Sequence, residues 1–306
     1  MAIKQIQATI NGQTVQLSYN EVTRKYEGTL TAPNQTSYHE QDHKFGITLK
    51  ATDMAGNVTN ADRDTATIGE NLKIRVLEKT KPVVTITSPS SGARVTTGVP
   101  PVQFKVTDEV GGSGVDFSTL SFIMDDGEPI GSDDPRIDKS PIANGFSVTY
   151  TPTEPLDDGS HTVKITVNDF DGNVSDTATS SFTVDTQAPA LNVTAPQNNL
   201  LTNQKTITVT GTATDSNQDG VRVTISVNDS DAGAVELQGT SFTKQVTLTE
   251  GLNTIKVTAI DSSGLSTVVT RTVTLDTIAP KITSVTLNKD TTDVGTTFTI
   301  SVEVTD

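Results

Sequence analysis

The sequence predicts an all-β protein made of two-layer sandwiches strung in tandem. Apolar residues recur at every second position in runs rich in Val, Ile and Thr, the pattern of strands with one buried face. Asn-Gly, Asp-Gly and Pro turns break those runs, and one phrase, a strand ending in Asp followed three residues later by Gly and another strand, occurs three times, which marks an internal repeat. No segment carries a sustained apolar stripe of helical period.

The three copies are ITLKATDMAGN at residues 47–57, VKITVNDFDGN at 163–173 and IKVTAIDSSG at 255–264. Their aspartates are Asp53, Asp169 and Asp261. The stretches that follow are punctuated by proline in EKTKP at 78–82, DTQAP at 185–189 and DTIAP at 276–280. Proline there fixes φ and removes a ladder donor, so one sandwich stops and the next starts across a short, stiff linker. The expected units are 1–79, 80–186, 187–277 and a partial unit, 278–306. At about 3.3 Å per residue, strands of this length give sandwiches of roughly 30–40 Å and an elongated array on the order of 100 Å.

A hydrophobic fraction of 33% over 306 residues suits several small sandwiches better than one large globule, because each strand exposes alternate side chains. With 22 basic and 37 acidic residues the net charge is -15, which repels nucleic acid and anionic lipid alike. No apolar run approaches the length of a membrane span. Cysteine and tryptophan are absent, so disulfides and thiolate metal sites are excluded. The opening residues lack the basic and apolar segments of a secretion signal, so an exported role implies another route, such as release on host lysis.

These residues resemble the bacterial immunoglobulin-like repeats of surface adhesins and of phage and prophage tail proteins, whose strands end in a T-D-x-A-G-N turn and whose units open with D-T-x-A-P. Thr52 to Asn57 and Asp276 to Pro280 match those two phrases, with looser copies between. The opening, with Ile10-Asn11-Gly12 and the run from Tyr26 to Pro33, is similar to small tail-module proteins of phages of Gram-positive bacteria. The resemblance implies immunoglobulin-like sandwiches, a virion setting and no catalytic residues. Its implied partners are other virion or cell-surface proteins and a host-surface glycan.

The partial unit ends VEVTD at 302–306, in register with FKVTD at 104–108. Two strands alone are marginal in water, so the expectation is either that the native chain was cut here or that residues 278–306 are completed by packing on the third unit or by pairing with another subunit, the last being the leading expectation.

One catalytic pattern is present: His39-Glu40-Gln41-Asp42-His43 satisfies H-E-x-x-H. Zinc hydrolysis needs that pentapeptide on a helix, so that both imidazoles face one ion. Here it follows Pro33 in a polar stretch without an apolar helical face, and coincidence is the expected reading.

The turn aspartates have a structural reading, since Asp accepts backbone N–H bonds and Gly takes the left-handed conformation. They also have a functional one. In an immunoglobulin topology the B–C and F–G loops share a pole with the incoming chain, which gathers Asp185, Asp215, Asp219 and Asp261 in the third unit. The same logic gathers Asp108, Glu109, Asp116, Asp169 and Asp171 in the second. Such carboxylates suit calcium; solvated turn acids are the default. The acidic stretch from Asp125 to Asp134 reads as a solvated loop. Sugar sites favour exposed aromatics, and with aromatic content at 4% the candidates are Tyr19, Tyr26 and Tyr38, for which core packing is the competing use. The leading expectation is a non-catalytic virion-associated tail or appendage protein. A bacterial surface adhesin and a calcium-stiffened carbohydrate-binding module are the alternatives.

Overall fold

A computed structural model describes residues 2–216 and 220–306, and nearly all of its regular structure is strand. Among the described residues no helix is long and apolar enough to cross a membrane. The chain divides into two compact units, Met1–Val184 and Asp185–Asp306.

The first unit begins with β1 (Ile3–Ile10), β2 (Gln13–Asn20), β3 (Lys25–Glu27), β4 (Phe45–Asp53), β5 (Val58–Ala61) and β6 (Lys73–Ile74). They form one six-stranded sheet in the order β3-β2-β1-β4-β5, with β6 paired to β4. Asn11 and Gly12 both have positive φ, 42° and 75°, as a two-residue hairpin between right-twisted strands requires. Ala8, Ile10, Phe45 and Leu72 supply the buried apolar residues. This core is thin, as a single sheet backed by loops and short 3-10 turns would have.

The same unit continues with β7 (Val83–Ser88), β8 (Arg94–Val95), β9 (Val102–Thr107), β10 (Val115–Met124), β11 (Ile137–Ile142), β12 (Gly145–Tyr150), β13 (Gly159–Asp169) and β14 (Ala178–Val184). Two four-stranded sheets result, β10-β13-β14-β8 and β11-β12-β9-β7. Alternation dictates the core: Val102, Phe104 and Val106 of β9 point inward, and Val163, Ile165 and Val167 of β13 meet them, all at 1% exposure or less.

The second unit contains β15 (Ala190–Ala195), β16 (Leu200–Thr202), β17 (Thr206–Thr214), β18 (Arg222–Val227), β19 (Ser230–Val235), β20 (Ser241–Thr247), β21 (Gly251–Ile260) and β22 (Ser266–Leu275). They pair as β15-β17-β20 and β16-β22-β21-β18-β19. Gly211 of β17 is required by close approach, since a Cβ there would lie 2.3 Å from the Asn192 carbonyl and 2.5 Å from the Phe242 ring.

The sandwiches of the second and third repeats, numbered second and third after those repeats, differ in one strand. In the second unit the Asn228-Asp229 turn, φ 51° and 62°, folds β19 straight back along β18. In the first, the matching Asp125-Asp126 turn allows only a single Ile130–Phe122 bridge before the chain crosses to pair β11 with β12. The second unit ends in a hairpin of β23 (Lys281–Leu287) and β24 (Ile300–Thr305), on which Ile282, Val285, Ile300 and Val304 are all more than half exposed.

Eight residues before each turn aspartate stand Phe45, His161 and Asn253, and all three are buried. Asn253 is wholly enclosed and fully bonded. Its Nδ2 donates to the carbonyls of Thr249 and Gly251 at 2.7 and 2.9 Å, while Oδ1 accepts from Thr249 N and Asn228 Nδ2, both at 2.9 Å. His161 fills the same place with Nδ1 2.6 Å from Asp125 Oδ2 and Nε2 2.7 Å from the Asp157 carbonyl.

Candidate functional site

The three repeated turns share one geometry. Asp53 Oδ1 accepts Asn57 N and Oδ2 accepts Asn57 Nδ2, each at 2.8 Å, which holds the Asp53 carboxyl below its ordinary range, the Asn57 side chain contributing most. Asp169 repeats the arrangement with Asn173 at 2.8 and 2.7 Å. Gly56, Gly172 and Gly264 all have φ near 90°, the left-handed conformation glycine adopts freely. In the third turn Leu265 stands where Asn stands in the other two. Asp261 Oδ1 still accepts Leu265 N at 2.9 Å, but the buried Oδ2 has no partner.

Around Asp169 the loop after β9 and the chain leading into β7 bring further acids. Glu78, Asp108 and Asp169 each offer a carboxylate oxygen, and these oxygens lie within 4.8 Å of one another. Among the described residues this is the one such group of metal-ligating side chains. Glu78 Oε1 accepts Ser113 N at 2.5 Å and Asp108 Oδ2 accepts Gly114 N at 2.7 Å. Glu78 Oε2, Asp108 Oδ1 and Glu109 Oε2 are shielded from solvent without a hydrogen-bond partner. Burial first, then the facing carboxyls of Glu78 and Asp108, push the Glu109 carboxyl up to about 7. A cleft of about 540 Å³ lined by Thr36, Leu77, Glu78, Glu109 and Val110 opens beside the group.

Of the acids expected in the second sandwich, the structure thus brings together Asp108, Glu109 and Asp169, and adds Glu78, four residues before Pro82. Asp116 stays outside, accepting Ser118 N and Oγ at 3.1 and 2.6 Å. Asp171 is likewise spent elsewhere. Its carboxylate accepts the Thr36 hydroxyl, Glu78 N at 3.2 Å and Arg75 Nη2 at 3.5 Å, and its side chain is 1% exposed. It fastens the end of the first sheet to the second sandwich. Glu78 occupies the place in its linker that Asp185 occupies in the next, a correspondence visible in the sequence though its role depends on loop geometry.

In the third sandwich Asp185 is fully buried, and its Oδ2 accepts the Ser263 hydroxyl at 2.5 Å. A hydroxyl donor therefore stands against this carboxylate. Asp215 is half-buried on the loop after β17. Asp219 lies outside the described residues.

The H-E-x-x-H stretch contains one 3-10 turn, Gln41–His43, in which Asp42 and His43 both have φ of 54°. His39 Nε2 meets the Gly112 carbonyl at 2.7 Å and His43 Nδ1 meets the Tyr38 carbonyl, so the two rings serve separate backbone partners. Tyr38 lies between His43 and Phe170, at centroid distances of 4.5 and 4.7 Å, and neither of its faces is open to a sugar. Tyr19 pairs edge-on with Tyr26 across β2 and β3 at 5.3 Å, and Tyr19 is 47% exposed. The acidic stretch from Asp125 to Asp134 is largely exposed, and three of its acids form ion pairs: Asp125 with His161, Asp126 with Lys164 at 2.5 Å and Asp134 with Arg136 at 2.8 Å.

Comparison with known proteins agrees with the sandwich architecture. Residues 189–277 match the family described as glucodextranase, domain B, and residues 138–186 match a bacterial Ig-like domain family. No curated protein matches the chain. Among solved structures, the fibronectin(III)-like modules of Clostridium thermocellum CbhA are 23% identical over 63% of this chain and 94% of theirs, with a TM-score of 0.38. The I67–I69 I-band fragment of titin is 11% identical over 90% of this chain and 88% of its own, with a TM-score of 0.42. The chain is thus a tandem arrangement of a β-sheet and β-sandwiches, of which residues 138–186 match a bacterial Ig-like domain family.

Proposed function

We propose that this chain is a non-catalytic structural and adhesive element of a phage or prophage tail or appendage, mediating assembly or contact with the host surface. The observation that carries this reading is the fastening of the first sheet to the second sandwich. Tyr38 stacks on Phe170, Asp171 takes Thr36, Arg75 and the Glu78 amide, and His39 reaches the Gly112 carbonyl. Side chains that catalysis would need free are spent on holding two repeats together, as a spacer that transmits position or force requires. The acidic surface favours protein partners over nucleic acid and anionic lipid.

Mass spectrometry of particles purified after lysis, beside the envelope fraction of the same cells, tests the reading. Enrichment at a fixed copy number per particle supports it. Presence only in the envelope fraction replaces it with a bacterial surface adhesin. A second reading, a carbohydrate-facing module, draws on the similarity of residues 189–277 to glucodextranase domain B and on exposed Tyr19. Glycan-array binding that Tyr19→Ala abolishes would favour it.

A further inference from the structure

We propose that Glu78, Asp108 and Asp169, with Glu109 alongside, bind a hard divalent cation, calcium by preference. Their oxygens lie within 4.8 Å of one another, and oxygens on opposite sides of one calcium ion, each about 2.4 Å from it, are separated by about that distance. Carboxylates so close repel each other, and a buried charge without a partner is costly. Asp108 is 7% exposed, yet its Oδ1 has no hydrogen-bond donor, and neither do Glu78 Oε2 and Glu109 Oε2. Two basic side chains flanking Glu78 in sequence are committed elsewhere, Arg75 to Asp171 and Lys81 to Asp176. Shielded acceptors on neighbouring carboxylates are what a cation satisfies together.

The donors are all oxygen, which selects calcium, magnesium or manganese over zinc. Magnesium keeps most of its water and demands a tight octahedron, whereas calcium accepts six to eight oxygens in irregular geometry. The cleft beside Glu78 and Glu109 gives an ion a path in and leaves room for water to complete its shell. Because Glu78 follows β6, Asp108 follows β9 and Asp169 ends β13, the ion would tie the linker to both loops of the second sandwich. That role goes beyond the assembly reading and holds in any setting of the chain.

The test is calorimetric titration of the full chain with calcium chloride after treatment with EGTA and desalting. We expect saturable uptake in which one equivalent disappears, or weakens at least about tenfold, in Asp108→Asn and in Glu78→Gln, and persists in Asp116→Asn. Asp108→Asn removes one of the repelling charges, so it is expected to melt in EGTA at no lower temperature than the parent, which separates lost binding from lost folding. Absence of saturable binding to the parent would overturn the proposal. So would unchanged stoichiometry and affinity in both Asp108→Asn and Glu78→Gln, or an equal loss in Asp116→Asn.

Discussion

Phe170, two residues before the glycine of its turn, lies flat against Tyr38 from the first repeat, with centroids 4.7 Å apart and ring planes 12° apart. Phe170 is 42% exposed, so its contribution is to the junction and not to the core of its own sandwich. An aromatic pair is worth about 0.5–1.5 kcal/mol beyond the area it covers. Phe170→Ala is expected to leave the second sandwich's melting unchanged and to speed hydrogen exchange at Ser37 and Val76, whose backbones are bonded beside the stack. Unchanged exchange there would remove the stack from the junction.

Leu265→Asn should stabilise the third sandwich. Asn57 and Asn173 both donate to the second oxygen of their turn aspartate, and Asp261 Oδ2 lacks that donor. One such bond is worth about 0.5–1.5 kcal/mol. Denaturant titration with calcium removed is the measurement, and no gain would mean that the leucine's own packing outweighs the bond.

Asn253 closes two turns at once. Replacing it with Leu leaves the carbonyls of Thr249 and Gly251 and the Thr249 amide without this partner in a dry site. At about 1–3 kcal/mol for each group left unsatisfied, the third sandwich should lose several kcal/mol, read as a lower midpoint in urea. A loss below about 1 kcal/mol would show that the turn re-forms its bonds without Asn253.

His161 makes the stability of the second sandwich depend on pH. Burial works against the charged imidazole, but the Asp125 carboxylate and the Asp157 carbonyl outweigh it and raise the folded value above the ordinary one. The contribution is therefore fully present below about pH 6.5 and is lost as pH rises through the raised folded value. His161→Gln should flatten that part of the profile of melting temperature against pH. A slope unchanged by the substitution would assign it to other groups.

The fold was legible because strand alternation and turn chemistry are local. Val102, Phe104 and Val106 declare a buried face, and Asp-x-x-Gly with its following Asn declares the turn at Asp53 and Asp169. The difference in strand pairing was not legible, since the Asp125-Asp126 and Asn228-Asp229 turns share a conformation and diverge only in what the chain does next. Asp108, Glu109 and Asp169 could be foreseen from loop topology. Glu78 could not be assigned a part, because nothing in its linker distinguishes an acid that turns into the pole from one that faces water. Asp171 and Tyr38 looked like ligand candidates for their chemistry, and their use as junction contacts depends on pairing across more than 90 residues, which no local pattern records.

On the cation-site proposal, acids gathered at the junction, and not turn aspartates as such, carry the protein's response to calcium. Hydrogen exchange of the full chain with and without calcium tests it directly, because the Asp53 turn is an internal control with the same local bonds and no place in the cluster. Calcium is expected to add protection in the loops at 108–114 and 169–173 and at Glu78, with none in the turn at 53–57. No calcium-dependent protection anywhere, or equal protection at Asp53 and Asp169, would contradict it.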